Sequence, residues 1–289
     1  MQIPLALEIL DARMADFRAD PVLAVHYRDG LWLEGPAYSA ADGHLLFSDI
    51  PNDRTLRLDE RSGQVVEHER PSQFANGRTF DAAGRVVTCR HGDRRVVRRE
   101  LDGTETVIAD SFGGLPLNSP NDVVVDSGGD IWFTDPTYGI ASDYEGHLAE
   151  QEQPVRGLYR WRESADELEL VFGHFDQPNG LAFARDESVL YVVDSGRDTL
   201  TETSPADPGR GARLLASGQV FDGIRVDVAG RIWAGTGAGV SCFDADGAEL
   251  LRIALPERAS NLTFGGPQRD VLYITATTSL YSVRTSVSG

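Results

Sequence analysis

One unit recurs six times along this 289-residue chain, and it limits what the chain can fold into. A polar residue opens a short apolar strand, a turn follows, and a second apolar strand ends the unit. The clearest copy runs Ser119-Pro120-Asn121-Asp122, then Val123-Val124-Val125, a turn at Ser127-Gly128-Gly129, and Ile131-Trp132-Phe133-Thr134-Asp135. The leading polar residues are Glu34, Asn76, Asn121, Asn179, Asp222 and Asn261, spaced by 42, 45, 58, 43 and 39 residues. Repeats of this length, each holding several short strands, are the mark of a β-propeller, because one four-stranded blade cannot bury its own faces and must stack on its neighbours.

The second half of each repeat reads as a hairpin. Leu56-Arg57-Leu58-Asp59 turns through Arg61-Ser62-Gly63 into Val65-Val66-Glu67, and Val240-Ser241-Cys242-Phe243 turns at Asp246-Gly247 into Glu249-Leu250-Leu251. Ser-Gly and Asp-Gly between alternating strands are turn signals, since glycine tolerates the positive φ that tight hairpins need. The expected fold is therefore all-β: a single six-bladed β-propeller over residues 1–289. Residues 1–22 form an arm, read as a short helix or an extended segment through Ile3, Leu5, Leu7, Leu10, Met14 and Phe17. The strand at Leu23–Tyr27 precedes the first leader, while the last repeat, ending at Ser279–Val283, lacks an outer strand. Pairing the two closes the ring and removes an exposed edge.

Composition narrows the function. With 27 basic and 45 acidic residues the formal charge is −18, which disfavours nucleic acid and anionic membranes as partners. Cys89 and Cys242 fall inside strands of different repeats and are expected as buried free thiols, as in a reducing cytoplasm. No basic segment followed by an apolar run marks a signal peptide, and no apolar stretch reaches membrane-spanning length. A monomer and a homodimer are both open.

If each leader sits at the axial end of the innermost strand of its blade, all six converge on one spot. Oxygen-bearing side chains converging on a point suit a hard cation. Glu34 follows Leu31-Trp32-Leu33, and Asp222 follows Val220-Phe221, so each is a carboxylate in apolar surroundings that needs a partner. Asn121 and Asn179 taken singly fit turn chemistry, but turns alone do not demand acids in two repeats and amides in the others. Two carboxylates with two amides suit Ca²⁺ first, with Mg²⁺, Mn²⁺, Zn²⁺ and Fe as alternatives. The histidines show no zinc-site spacing; His91, directly after a strand, is the one placed to reach the pocket. Asp49, Asp135 and Asp194 each close a strand, and Asp49 and Asp135 read as structural acids that bond loop amides. No Gly-x-Ser-x-Gly elbow, Walker loop or dinucleotide fingerprint is present, which disfavours serine-nucleophile chemistry. The long third spacing comes from residues 136–156, a stretch without periodicity read as a lid, with Tyr138, Tyr144 and His147 as its candidate contacts.

The runs Leu33-Glu34-Gly35-Pro36, Asn76-Gly77, Asn118-Ser119-Pro120-Asn121-Asp122, Trp132-Phe133-Thr134-Asp135-Pro136-Thr137-Tyr138-Gly139, Pro178-Asn179-Gly180-Leu181 and Phe221-Asp222-Gly223 resemble the senescence-marker-protein, gluconolactonase and luciferin-regenerating-enzyme family. The resemblance is nearest to its bacterial gluconolactonases, with which Cys89-Arg90-His91-Gly92 also agrees, and it covers the chain from about residue 25. It implies a six-bladed propeller with one divalent metal in the central channel, and lactone hydrolysis. By motif it implies Glu34, Asn179 and Asp222 as metal ligands, with Asn121 at both metal and substrate. Animal members carry an arginine where Ser119 stands. The expected activity is metal-dependent hydrolysis of an aldonolactone such as gluconolactone. Asp222 and Asn121 are the catalytic candidates, and Asn121, Asn76, His91 and Tyr138 the substrate contacts. The rivals are a fluorophosphatase-like hydrolase of phosphorus esters and a non-enzymatic propeller with a structural ion.

Overall fold

Short runs of apolar residues alternate with Gly-bounded turns, so each sheet acquires two apolar faces and can bury them only against other sheets. The computed structural model, which describes residues 1–207 and 211–289, resolves this as six antiparallel blades. Their innermost strands, in chain order, are Leu33–Ser39, Ala75–Phe80, Val123–Val125, Pro178–Phe183, Phe221–Val226 and Ala259–Gly265. Blades one to four have four strands each, and blades five and six have five. The only helical segments among the described residues are single 3₁₀ turns at Ala12–Met14, Ile50–Asn52 and Tyr138–Ile140.

The extra strands come from the N-terminal arm, whose extended reading holds in place of the helix. Gln2–Pro4 pairs with Val22–Tyr27, which in turn pairs with Leu280–Arg284 in blade six, Tyr27 lying opposite Leu280. Ala6–Ile9 pairs with Glu249–Ala254 at the outer edge of blade five. The arm then delivers Met14 and Phe17 into the apolar cluster between those two blades, where Phe17 lies 5.9 Å from Trp233.

Apolar clusters fill five of the six seams between blades. The seam between blades one and two is different. There the fully buried Arg78 donates to the Gly35 carbonyl oxygen, Ser48 Oγ and Thr55 Oγ1. Burial pulls its pKa down to about 10. Cys89 and Cys242 are both buried free thiols.

Candidate functional site

Each leader sits at or just before the start of an innermost strand, and in five blades the ladder breaks register there. The irregularities fall at Glu34/Ala37, Ala75/Arg78, Pro178/Leu181, Phe221/Ile224 and Ala259/Asn261. A bulge adds a residue to one strand and re-aims its side chain, here toward the axis. In blade three the regular strand starts only at Val123, and the Asn121 amide is held by the Thr134 carbonyl oxygen at 2.8 Å. The glycine after a leader lets the next inner strand come close. Gly35 has φ +51°, and a Cβ there would stand 2.0 Å from the Asn76 carbonyl oxygen; one on Gly223 would stand 2.0 Å from Asn261 Cγ.

Glu34, Asn76, Asn121, Asn179 and Asp222 line one cavity of about 350 Å³ at one mouth of the channel, joined by Trp32, Tyr138, Glu145, Ser195, Asp198, Val220 and Arg258. Asn261 stands behind Glu34, to which its Nδ2 donates at 3.1 Å. Glu34 Oε2 also accepts from the Gly35 amide at 2.7 Å, and no protein donor reaches Oε1 among the described residues. Asp222 Oδ2 accepts from Arg258 Nη2 at 2.8 Å. That guanidinium lies over the Trp32 ring, 5.2 Å from its centroid.

The site is short of positive charge. Burial, and then the charge of Asp222, pushes Glu34 well above the usual carboxylate range. Asp222 is pushed up to about 6 by burial, with Arg258 holding it down. Glu145 is pushed to about 7, first by burial and then by Asp222. Tyr138 is raised by burial and by Asp222, with Ser195 and Asn179 as hydrogen-bonding neighbours. Asn76 Oδ1 is buried without a hydrogen-bond partner among the described residues. Two buried carboxylates, of which only Asp222 is paired with a guanidinium among the described residues, fit a bound cation, since an uncompensated buried charge is costly. No three His, Cys, Asp or Glu side chains converge among the described residues, so the donors on offer are two carboxylates and the side-chain amides, an oxygen set for a hard ion.

Several residues stand away from their expected places. His91 is buried behind Asn76 and is not part of the cavity wall. Of the expected lid contacts, Tyr138 reaches the cavity, Tyr144 is 51 % exposed, and the His147 ring packs on Phe74 at 5.1 Å. Ser119 donates to the Pro136 carbonyl oxygen and accepts from the Gly139 amide, so it pins the root of the 136–156 segment. The cavity's guanidinium instead arrives from blade six as Arg258. Asp49, Asp135 and Asp194 do bond loop amides, those of Leu31, Asn118, Asp176 and Gln177. Trp32, Glu145 and Arg258 were missed by sequence reasoning; each lies outside the repeated unit and carries no periodic signal.

Residues 32–278 match the SMP-30/gluconolactonase/LRE-like region, and the chain belongs to that family. A gluconolactonase of Zymomonas mobilis is 27 % identical over 89 % of this chain and 80 % of its own length. The pentonolactonase XacC of Haloferax volcanii is 29 % identical, over 84 % and 80 %. The solved gluconolactonase of Xanthomonas campestris superposes with a TM-score of 0.91 at 34 % identity, covering 99 % of this chain and 97 % of that one.

Proposed function

We infer that this propeller is a metal-dependent lactonase that opens a sugar lactone, such as gluconolactone, to its hydroxy acid. The observation that carries this reading is the convergence of Glu34, Asn121, Asn179 and Asp222 on one cavity, with two buried carboxylates of which only Asp222 is paired with a guanidinium among the described residues. The relatives' lactone substrates support it. Glu34, Asn179, Asp222 and Asn121 would hold the ion, Ca²⁺ fitting the oxygen set, and when bound it supplies a Lewis acid that polarises the lactone carbonyl. Asp222, oriented by the bond from Arg258 to its Oδ2, is the group that would take a proton from the attacking water. As the water oxygen bonds to the carbonyl carbon, the ring C–O bond breaks and that proton passes to the departing ring oxygen. Asn121 and Tyr138 orient the ring from the wall. The N-terminal strand serves as the closing strand of the ring. The free thiols agree with a cytoplasmic setting, and among the described residues no helix is long and apolar enough to cross a membrane.

The deciding experiment measures turnover across a panel of lactones, with an organophosphate as comparator, after chelation and add-back of single metals. Activity should vanish on chelation and return with one divalent ion. Glu34→Gln and Asp222→Asn should each weaken ion binding at least about tenfold in calorimetry, since each removes a charge from the cage. Unchanged affinity in both variants, or undiminished turnover in chelator, refutes the assignment.

A further inference from the structure

His91 holds a position between the wall of the cavity and the segment that covers it. Its Nδ1 lies 2.9 Å from the Glu145 carbonyl oxygen, and its Nε2 lies 3.2 Å from Asn76 Nδ2. A carbonyl oxygen only accepts, so Nδ1 carries a hydrogen. The ring is 1 % exposed, and burial drives its pKa down to about 4, so at neutral pH only one nitrogen is protonated. Nε2 is therefore bare and can only accept. Asn76 must turn the NH₂ half of its amide to the imidazole, which sends Oδ1 the other way. That oxygen belongs to a cavity-lining residue and is buried with no partner. The opposite tautomer would reverse the amide and present a donor to the cavity. The cover is fitted to the ring as well. A Cβ on Gly139 would stand 2.4 Å from His91 Cβ, and one on Gly146 would stand 2.1 Å from the Gly139 carbonyl oxygen.

We propose that His91 is a positioning residue: clasped by the Glu145 carbonyl as its Nδ1–H tautomer, it holds Asn76 with an acceptor oxygen toward the cavity, and that oxygen selects a lactone carrying a ring hydroxyl. The selection rests on the lactonase reading above; the tautomer does not. An acceptor placed in a buried wall favours a substrate that donates to it and is indifferent to an unsubstituted ring.

The test has two arms. In protein labelled with ¹⁵N-histidine, nitrogen chemical shifts and couplings should show His91 protonated at Nδ1 and bare at Nε2. In kinetics, His91→Phe keeps a ring of similar size and removes both hydrogen bonds. Its kcat/KM on gluconolactone should fall roughly three- to tenfold, mostly through KM, and on δ-valerolactone less than about twofold. His91→Gln, with one donor and one acceptor on a planar group, should recover part of the loss. An Nε2–H tautomer overturns the proposal, and so do equal losses on the two lactones or none on either. If the wild type turns over neither lactone, the lactonase reading and the hydroxyl selection fall together, while the nitrogen spectra still decide the tautomer. Should His91→Phe not fold, the spectra and the Gln variant carry the decision.

Discussion

Asp135 ends the second strand of blade three, fully buried, and accepts the Asn118 amide at 2.8 Å through Oδ2. Its Oδ1 is buried with no donor, as are Asn118 Oδ1 and the Tyr159 hydroxyl. Burial raises its pKa from 3.8 to about 7, against the opposing pull of the Asn118 and Ser119 amides and Arg94. A group whose folded pKa lies above its unfolded value contributes stability that is fully present below the unfolded pKa and lost as pH rises through the folded one. Here the loss runs from about pH 4 to about pH 7. A rise of ~3 units is worth up to about 4 kcal/mol at ~1.4 kcal/mol per unit. Asp135→Asn removes the charge, keeps an oxygen for the Asn118 amide, and puts an NH₂ where Oδ1 had no donor. Relative to wild type, the variant should therefore gain on the order of 1–4 kcal/mol at about pH 8 and nothing, or a slight loss, at about pH 4. Urea unfolding of both proteins at several pH values reads the difference directly, because every other titrating group cancels between them. A difference that does not change with pH would refute the reasoning.

Two further outcomes are expected. Replacing residues 141–150 by a short Gly-Ser link removes Glu145 from the cavity and its carbonyl from His91 but spares the root held by Ser119 and by Gln153, which donates to the Phe112 and Leu115 carbonyl oxygens; kcat/KM should fall, more for hydroxylated than for unsubstituted lactones, with ion affinity nearly intact, and equal kinetics would leave the segment without a catalytic role. Deleting residues 1–18 strips a fifth strand from each of two blades and uncovers the cluster around Trp233, so the midpoint of thermal unfolding should drop by several degrees, and an unchanged midpoint would deny the arm its bracing role.

The repeated leaders were legible because turn chemistry, which explains each asparagine singly, does not explain acids and amides at one fixed place in six apolar strands, and the glycine after four of them recorded the close approach of neighbouring inner strands. The bulges left no signal of their own beyond that glycine. Arg258, Trp32 and Glu145 reach the cavity from segments without periodicity, where position follows from the tertiary path and not from local pattern. The N-terminal arm was ambiguous for a physical reason: Ile3, Leu5 and Leu7 alternate as in a strand, whereas Leu10, Met14 and Phe17 are spaced as on a helix, and only the open edges of blades five and six decide between them. His91 could be placed after its strand, but its role depends on which atoms face its two nitrogens, and no spacing encodes that.

The arm also bears on the order in which the molecule can be made. Ala6–Ile9 and Val22–Tyr27 are synthesised before the blades, yet they pair with strands between Glu249 and Arg284, which follow blades one to four in the chain. Blades one to four can assemble as they are synthesised, but the arm finds its partners only once blades five and six have been made. For that interval Ala6–Ile9 and one edge of Val22–Tyr27 must wait unpaired, and nascent chains stalled short of blade five should expose them to proteases and chaperones.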